Sequence, residues 1–142
     1  ATILGVFNGC FYIDPTSKKP TYSNYYPGSI NVTSAGSISG STNIDAYIYD
    51  DPYMLFEAQC DGTLAKTDIG KITDTVLTTG STVNGLSKNE IDDSTEATTA
   101  GLQVKIIGIT KDPENDDASS ANANWYVMFN EHVKLGTGIT GT

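Results

Sequence analysis

The stretch NWYVMFNEH, Asn124 to His132, sets Trp125, Val127 and Phe129 on one side and Tyr126, Met128 and Asn130 on the other. Alternation with period two marks a strand with one buried face, because successive side chains leave a pleated backbone in opposite directions. The same pattern recurs along the chain. YMLFEAQC (Tyr53 to Cys60) places Met54, Phe56, Ala58 and Cys60 opposite Leu55, Glu57 and Gln59. LQVKIIGIT (Leu102 to Thr110) alternates Leu102, Val104 and Ile106 with Gln103 and Lys105. IDAYIYD (Ile44 to Asp50) puts Ile44, Ala46 and Ile48 opposite Tyr47 and Tyr49, and KITDTVL (Lys71 to Leu77) adds a further strand.

Turn chemistry separates these runs. Asp61-Gly62, Thr79-Gly80 and Asn84-Gly85 offer the positive φ that tight hairpins use. LAKTDIGK predicts one helical turn stopped by Gly70, and STEATTA a second, but no apolar stripe lasts three helical turns. The expected class is all-β, a small barrel or sandwich. Its core is predicted to include Phe56, Ala58, Leu102, Val104, Ile106, Trp125, Val127 and Phe129.

Residues 1–43 have another character. Four of the eight tyrosines lie there, at Tyr12, Tyr22, Tyr25 and Tyr26, with Pro15, Pro20 and Pro27 interrupting any ladder. SAGSISGSTN (Ser34 to Asn43) is low in complexity and reads as a joint. The expected organisation is a loop-rich, Tyr-rich N-terminal arm over 1–43 and a β body over 44–142. Charge follows the same division. The arm carries Asp14 against Lys18 and Lys19, a net +1; the body carries sixteen acids against six lysines, a net −10. The tyrosines read equally as an interface or as a cover for the body's own floor.

The whole chain of 142 residues has a net charge of −9 and no arginine. It therefore lacks both the positive field and the bidentate fork that nucleic-acid contact uses. No apolar run is long enough to span a membrane, and ATILGVF lacks the basic start of a signal peptide. The glycosylation triplet NVT (Asn31 to Thr33) matters only in a eukaryotic secretory route, which nothing else here supports. Cys10 and Cys60 show no metal-ligand spacing. A disulfide and two buried thiols are both compatible with the sequence, and free thiols are expected of a cytoplasmic product. Cys60 falls on the inward face of its strand.

The residues that could carry chemistry are scattered. His132, the single histidine, ends a strand beside Glu131 on the face of Tyr126, with no nucleophile in a recognisable pattern; GSISG has Ile38 where a serine nucleophile would stand. It is expected to be a hydrogen-bonded strand end. Asp112, Glu114 and Asp116 have an i, i+2, i+4 spacing that suits calcium, but the glycine that turns such a loop is missing. A solvated hairpin loop is the expectation. Asp50-Asp51 and Asp92-Asp93 are neighbours, which strand geometry would point apart. No catalytic, cofactor or metal residue is assigned, and no enzyme activity is expected.

Read in order, VFNGCFY, DDPYMLFEAQCDGTLAKTDIGK, TGSTVNGLSKNEIDD, TTAGLQVKIIGIT, DPEN and NWYVMFNEH resemble a group of small structural proteins of tailed bacteriophages of aquatic bacteria, the head decoration or cement proteins. The likeness runs from Val6 to His132. It implies a protein made in the host cytoplasm that binds the major capsid protein on the outer capsid surface, without cofactors, as a homotrimer. Tyr22, Tyr25 and Tyr26 are then the expected capsid contacts. Alternatives are a tail- or fibre-associated virion protein and an extracellular carbohydrate-binding β module.

Overall fold

A computed structural model describes residues 2–14, 17–27, 44–99, 101–115, 117–135 and 141. The Ser34–Asn43 joint, the Asn31–Thr33 triplet, Pro15 and Asp116 lie outside them, and the boundary expected after residue 43 falls at their edge. Among the described residues nine strands follow in order: β1 (Val6–Ile13), β2 (Pro20–Ser23), β3 (Asp45–Tyr49), β4 (Phe56–Gln59), β5 (Ile72–Thr73), β6 (Thr75–Val76), β7 (Glu90–Ile91), β8 (Val104–Ile109) and β9 (Asn124–Phe129). The chain is all-β. Its single helical piece among the described residues is a 3-10 turn, Lys66–Asp68, and no described helix is long and apolar enough to cross a membrane. Contacts divide the chain into two compact units. The larger holds Ala1–Gly5, Asp51–Thr79 and Lys88–Thr142, and the smaller Val6–Asp50 and Gly80–Ser87.

In the larger unit, β9 is central because both its neighbours can bury apolar faces against the same side. The antiparallel sheet has the order β4-β9-β8-β5. Phe56 opposes Val127 and Ala58 opposes Trp125, while Val104 opposes Phe129 and Ile106 opposes Val127. Trp125, Val127, Phe129, Val104, Ile106 and Cys60 are buried in one cluster, with Phe56 and Ala58 packed against it. Leu102 is half-buried just ahead of β8. The β6-β7 pair forms a second sheet, and its Ile91 enters the same core. β4 and β5 do not pair with each other, so the sheets stay open and the unit is sandwich-like rather than a closed barrel.

Two local expectations change. STEATTA is not helical: Ala97 and Ile72 exchange backbone hydrogen bonds of 3.0 and 2.8 Å as an antiparallel bridge. Asp61-Gly62 is not a hairpin turn either, because the Asp61 N–H donates to Ile91 and the Gly62 carbonyl accepts from Asn122. Asn84-Gly85 does make a tight turn, with Gly85 at φ 70°. The LAKTDIGK turn forms as expected and ends at Gly70, φ 94°. Asp68 holds it by accepting from the Ala65 N–H at 2.7 Å and from the Lys71 ammonium at 2.7 Å. Burial pushes the Asp68 carboxyl upward, but these two partners outweigh it and hold the carboxyl below its ordinary range.

The smaller unit is a three-stranded antiparallel sheet of order β2-β1-β3. Its strands come from both sides of residue 43. The β1–β2 hairpin is closed by Asp14, which accepts from the Ser17 N–H at 3.1 Å through Oδ1 and from the Lys18 N–H at 2.8 Å through its carbonyl. Lys18 takes φ 60° to complete the reversal. The Gly80–Ser87 loop joins this unit, where Asn24 Nδ2 donates to the Asn84 carbonyl at 2.9 Å.

Candidate functional site

The sheet of the smaller unit leaves large side chains in solvent. Cross-strand partners share a face, and so do residues two apart. Val6 opposes Tyr49 and Phe11 opposes Tyr22, so Tyr22, Tyr47 and Tyr49 lie together with Val6 and Phe11. Tyr22 and Tyr47 sit on strands either side of β1, yet their ring centroids are 6.2 Å apart. Gly9 makes this approach feasible. A Cβ there would collide with Tyr22 Oη, and the backbone at φ 114° belongs to glycine. The ladder shifts register at this point, between Phe7 and Cys10. The Tyr22 hydroxyl then donates to the Asn8 carbonyl at 2.8 Å, which fixes the ring.

Of the three tyrosines expected to make contacts, Tyr22 is 59% exposed and Tyr26 63%. Tyr25 is half-buried, and its carbonyl accepts from the Ser23 hydroxyl at 2.7 Å and the Cys10 thiol at 3.4 Å. Tyr47 and Tyr49 are also exposed. The sequence pattern placed those two on one side but could not say that this side meets solvent.

The residues with chemical potential have separate partners. His132 is fully buried and stacked on Phe129, with ring centroids 5.4 Å apart. Its Nδ1 accepts the Lys134 N–H at 3.1 Å, so Nε2 carries the proton and donates to the Leu4 carbonyl at 2.9 Å. Both nitrogens are thus taken by backbone. The alternation that put His132 on the Tyr126 face fails because β9 ends at Phe129 and the chain bends at Asn130 and Glu131. Asn130 is buried too, its amide donating to the Leu102 carbonyl at 2.9 Å. Glu57 is exposed on the outer face of β4.

Both cysteines are buried free thiols. Burial raises the Cys10 pKa and pushes Cys60 up to about 11, helped by the nearby Asp61, Asp93 and Asp92 charges and opposed by the Gly62 N–H. Since the thiolate is the nucleophile, Cys60 should react with a thiol reagent at neutral pH orders of magnitude more slowly in the native protein than in urea. Labelling followed by mass spectrometry reads this directly, and rapid native labelling would overturn the inward placement. The sign of the alkaline response follows. Between pH about 9 and 11 the unfolded chain releases this proton while the native state keeps it, so stability falls as pH rises through that window.

The fold also gathers acids that the sequence keeps apart. One carboxylate oxygen from each of Asp61, Asp92 and Asp93 lies within 4.8 Å of the others. Asp92 and Asp93 follow the end of β7 rather than lying on a strand, which lets both side chains reach the same place. Such oxygens suit a hard cation, but they already serve the turns. Asp61 Oδ1 accepts the Asp93 N–H at 3.0 Å, and Asp93 Oδ2 accepts the Thr63 N–H at 3.0 Å. Asp92 Oδ1 accepts from the Ser94 hydroxyl at 2.6 Å and N–H at 2.7 Å, which holds its carboxyl below the ordinary range. In the Asp112–Asp117 loop, Asp112 accepts from the Glu114 N–H at 3.0 Å and Asp117 from the Ser119 N–H at 2.9 Å. These are turn-forming roles.

A scan against protein-family models, a search of curated proteins and a search of solved structures each found no match.

Proposed function

We propose that this chain is a non-enzymatic virion structural protein, a decoration or cement protein that binds the major capsid protein on the outer surface of a tailed-phage head and stabilises it. The observation that carries the reading is the exposed tyrosine face of the β2-β1-β3 sheet, held in place by the Tyr22–Asn8 hydrogen bond and the Gly9 gap. Tyrosine buries a large ring at low entropic cost and keeps a polar tip, which makes it a favoured interface anchor. The resemblance over Val6 to His132 points the same way. A homotrimer made in the host cytoplasm and seated at threefold or quasi-threefold positions would repeat this weak contact many times over the lattice. Trp125, which a carbohydrate-binding module could have offered as a stacking platform, is fully buried.

The test adds variants to undecorated particles and measures occupancy. Deleting 1–43 would remove β1 and β2 and leave β3 without its ladder, so point substitutions are the informative variants. Tyr22→Ser with Tyr26→Ser should weaken attachment by roughly tenfold or more, whereas Asp112→Asn with Asp117→Asn should leave it nearly unchanged. Equal occupancy of the tyrosine variant would sink the contact assignment. A density map placing the protein on the tail, or inside the shell, would sink the decoration reading.

A further inference from the structure

The three-stranded sheet has two edges, and they complement each other. Among the described residues, β2 and β3 pair only with β1. The β2 edge is entered through Lys18 and Lys19, both exposed, and no ion pair joins either to another described residue. The β3 edge opens with Asp45, exposed and without an ion-pair partner among the described residues, and Ala46 and Tyr47 after it are exposed as well. An unpaired strand edge is a template for another strand unless something covers it. Here one edge is basic at its start and the other acidic at its start. We infer that copies of this chain join head to tail through these edges, β2 of one copy against β3 of the next.

The geometry favours this pairing over like with like. β1 runs antiparallel to both neighbours, so β2 and β3 share a direction. A rotation axis along the strands therefore sets β2 of one copy parallel to β3 of the next, start beside start. Within one copy Tyr22 and Asp45 are level, since both oppose Phe11. Closing a ring of sheets requires a stagger between subunits. A stagger of about two residues keeps every side chain on its own face. It sets Tyr22 beside Tyr47 of the next copy and brings the Lys18–Lys19 side chains within reach of Asp45. The Tyr22–Tyr47 contact inside each copy then continues between copies, and aromatic cross-strand pairs stabilise sheets. Pairing β3 with β3 would instead bring Asp45 towards the acidic Asp50 end of its mate. Pro20 removes one donor from the β2 edge, which leaves side-chain complementarity to set the register. Contacts of this head-to-tail kind close into rings when the rotation permits, which supplies the surface for the homotrimer of the proposed function. The inference rests on that reading only for the number of copies.

Two sets of variants test it in the full-length protein, with mass read by sedimentation and native mass spectrometry. Lys18→Glu with Lys19→Glu should lower the association constant at least tenfold, and Asp45→Lys should do the same. Combining all three substitutions in one chain should restore the parent's association. Independently, in a Cys10→Ser background that removes the native thiol opposite Ala46, Thr21→Cys with Ala46→Cys should give a disulfide between copies on mild oxidation. The two positions lie on strands either side of β1 and two residues out of level, since Thr21 opposes Tyr12 and Ala46 opposes Cys10; they are therefore about 12 Å apart in one copy, beyond the span of an internal disulfide. The product should stop at a closed species of three chains, while either single variant gives none. A monomeric parent, charge variants that associate like the parent, or a double-cysteine protein that forms no link between copies would overturn the edge pairing. Occupancy on undecorated particles separates the two ideas. A chain that attaches as a monomer keeps the decoration reading and loses the ring, and a ring that attaches to no particle does the reverse.

Discussion

Phe129→Ala should destabilise the protein by about 3–5 kcal/mol, the cost of removing a large buried ring and leaving a cavity that its neighbours cannot fill. Phe129 is 5% exposed at the end of the central strand β9. Its ring lies 4.8 Å from that of Phe56 on β4 and 5.4 Å from the imidazole of His132, and its backbone partner is Val104 on β8. One side chain thus ties together three segments distant in sequence, and the two strands flanking β9 cannot close over the space it leaves without breaking their register. Phe129→Leu keeps most of the volume and should cost less, about 1.5 kcal/mol or under. Urea unfolding followed by circular dichroism gives both values. If the alanine variant unfolds like the parent, the placement of β9 is wrong.

His132→Ala should cost about 3 kcal/mol, even though no chemistry is assigned to the residue. The imidazole satisfies the Leu4 carbonyl and the Lys134 N–H inside the fold. Stranding a buried polar group costs about 1–3 kcal/mol, and the lost stacking on Phe129 adds to it. The loss is local in a defined way. His132 also bridges Ile3 in parallel pairing, so the first residues of the chain should come loose first, visible as faster hydrogen exchange at the Ile3 amide, which donates to the Glu131 carbonyl at 3.1 Å. His132→Gln, which keeps an acceptor and a donor, should recover part of the stability. In the folded fraction of either variant, particle attachment should match the parent. Loss of attachment in well-folded His132→Gln protein would give the residue a role beyond structure.

The long strands were legible because alternation is a local record of which side of a strand meets the core. Phe56, Ala58 and Cys60, Val104 and Ile106, and Trp125, Val127 and Phe129 all face inward as their spacing implies. The record becomes too short at β5, β6 and β7, where two residues cannot display a period. It is misleading where the backbone steps out of register. At the irregularity between Ile106 and Gly108, β8 gains a residue relative to β9, and Ile109 instead of Gly108 meets Trp125. Past Phe129 the bend turns His132 into the core, against the face that counting assigned. Tyr22, Tyr25 and Tyr26 could be named as a tyrosine-rich group, but their exposures differ because that depends on what the sheet leaves uncovered.

The amino-acid sequence by itself therefore determined the all-β class, the inward residues of β4, β8 and β9, the Lys66–Asp68 turn and the burial of Cys60. Each follows from side-chain direction along a few consecutive residues. Only the tertiary structure decided that the sheets stay open, that β3 joins β1 across residue 43, that Asp61 meets Asp92 and Asp93, and that Tyr47 and Tyr49 share an exposed face with Tyr22. Those outcomes depend on which strands pair. Pairing is chosen by burial summed over segments far apart in the chain, and no local pattern carries that sum.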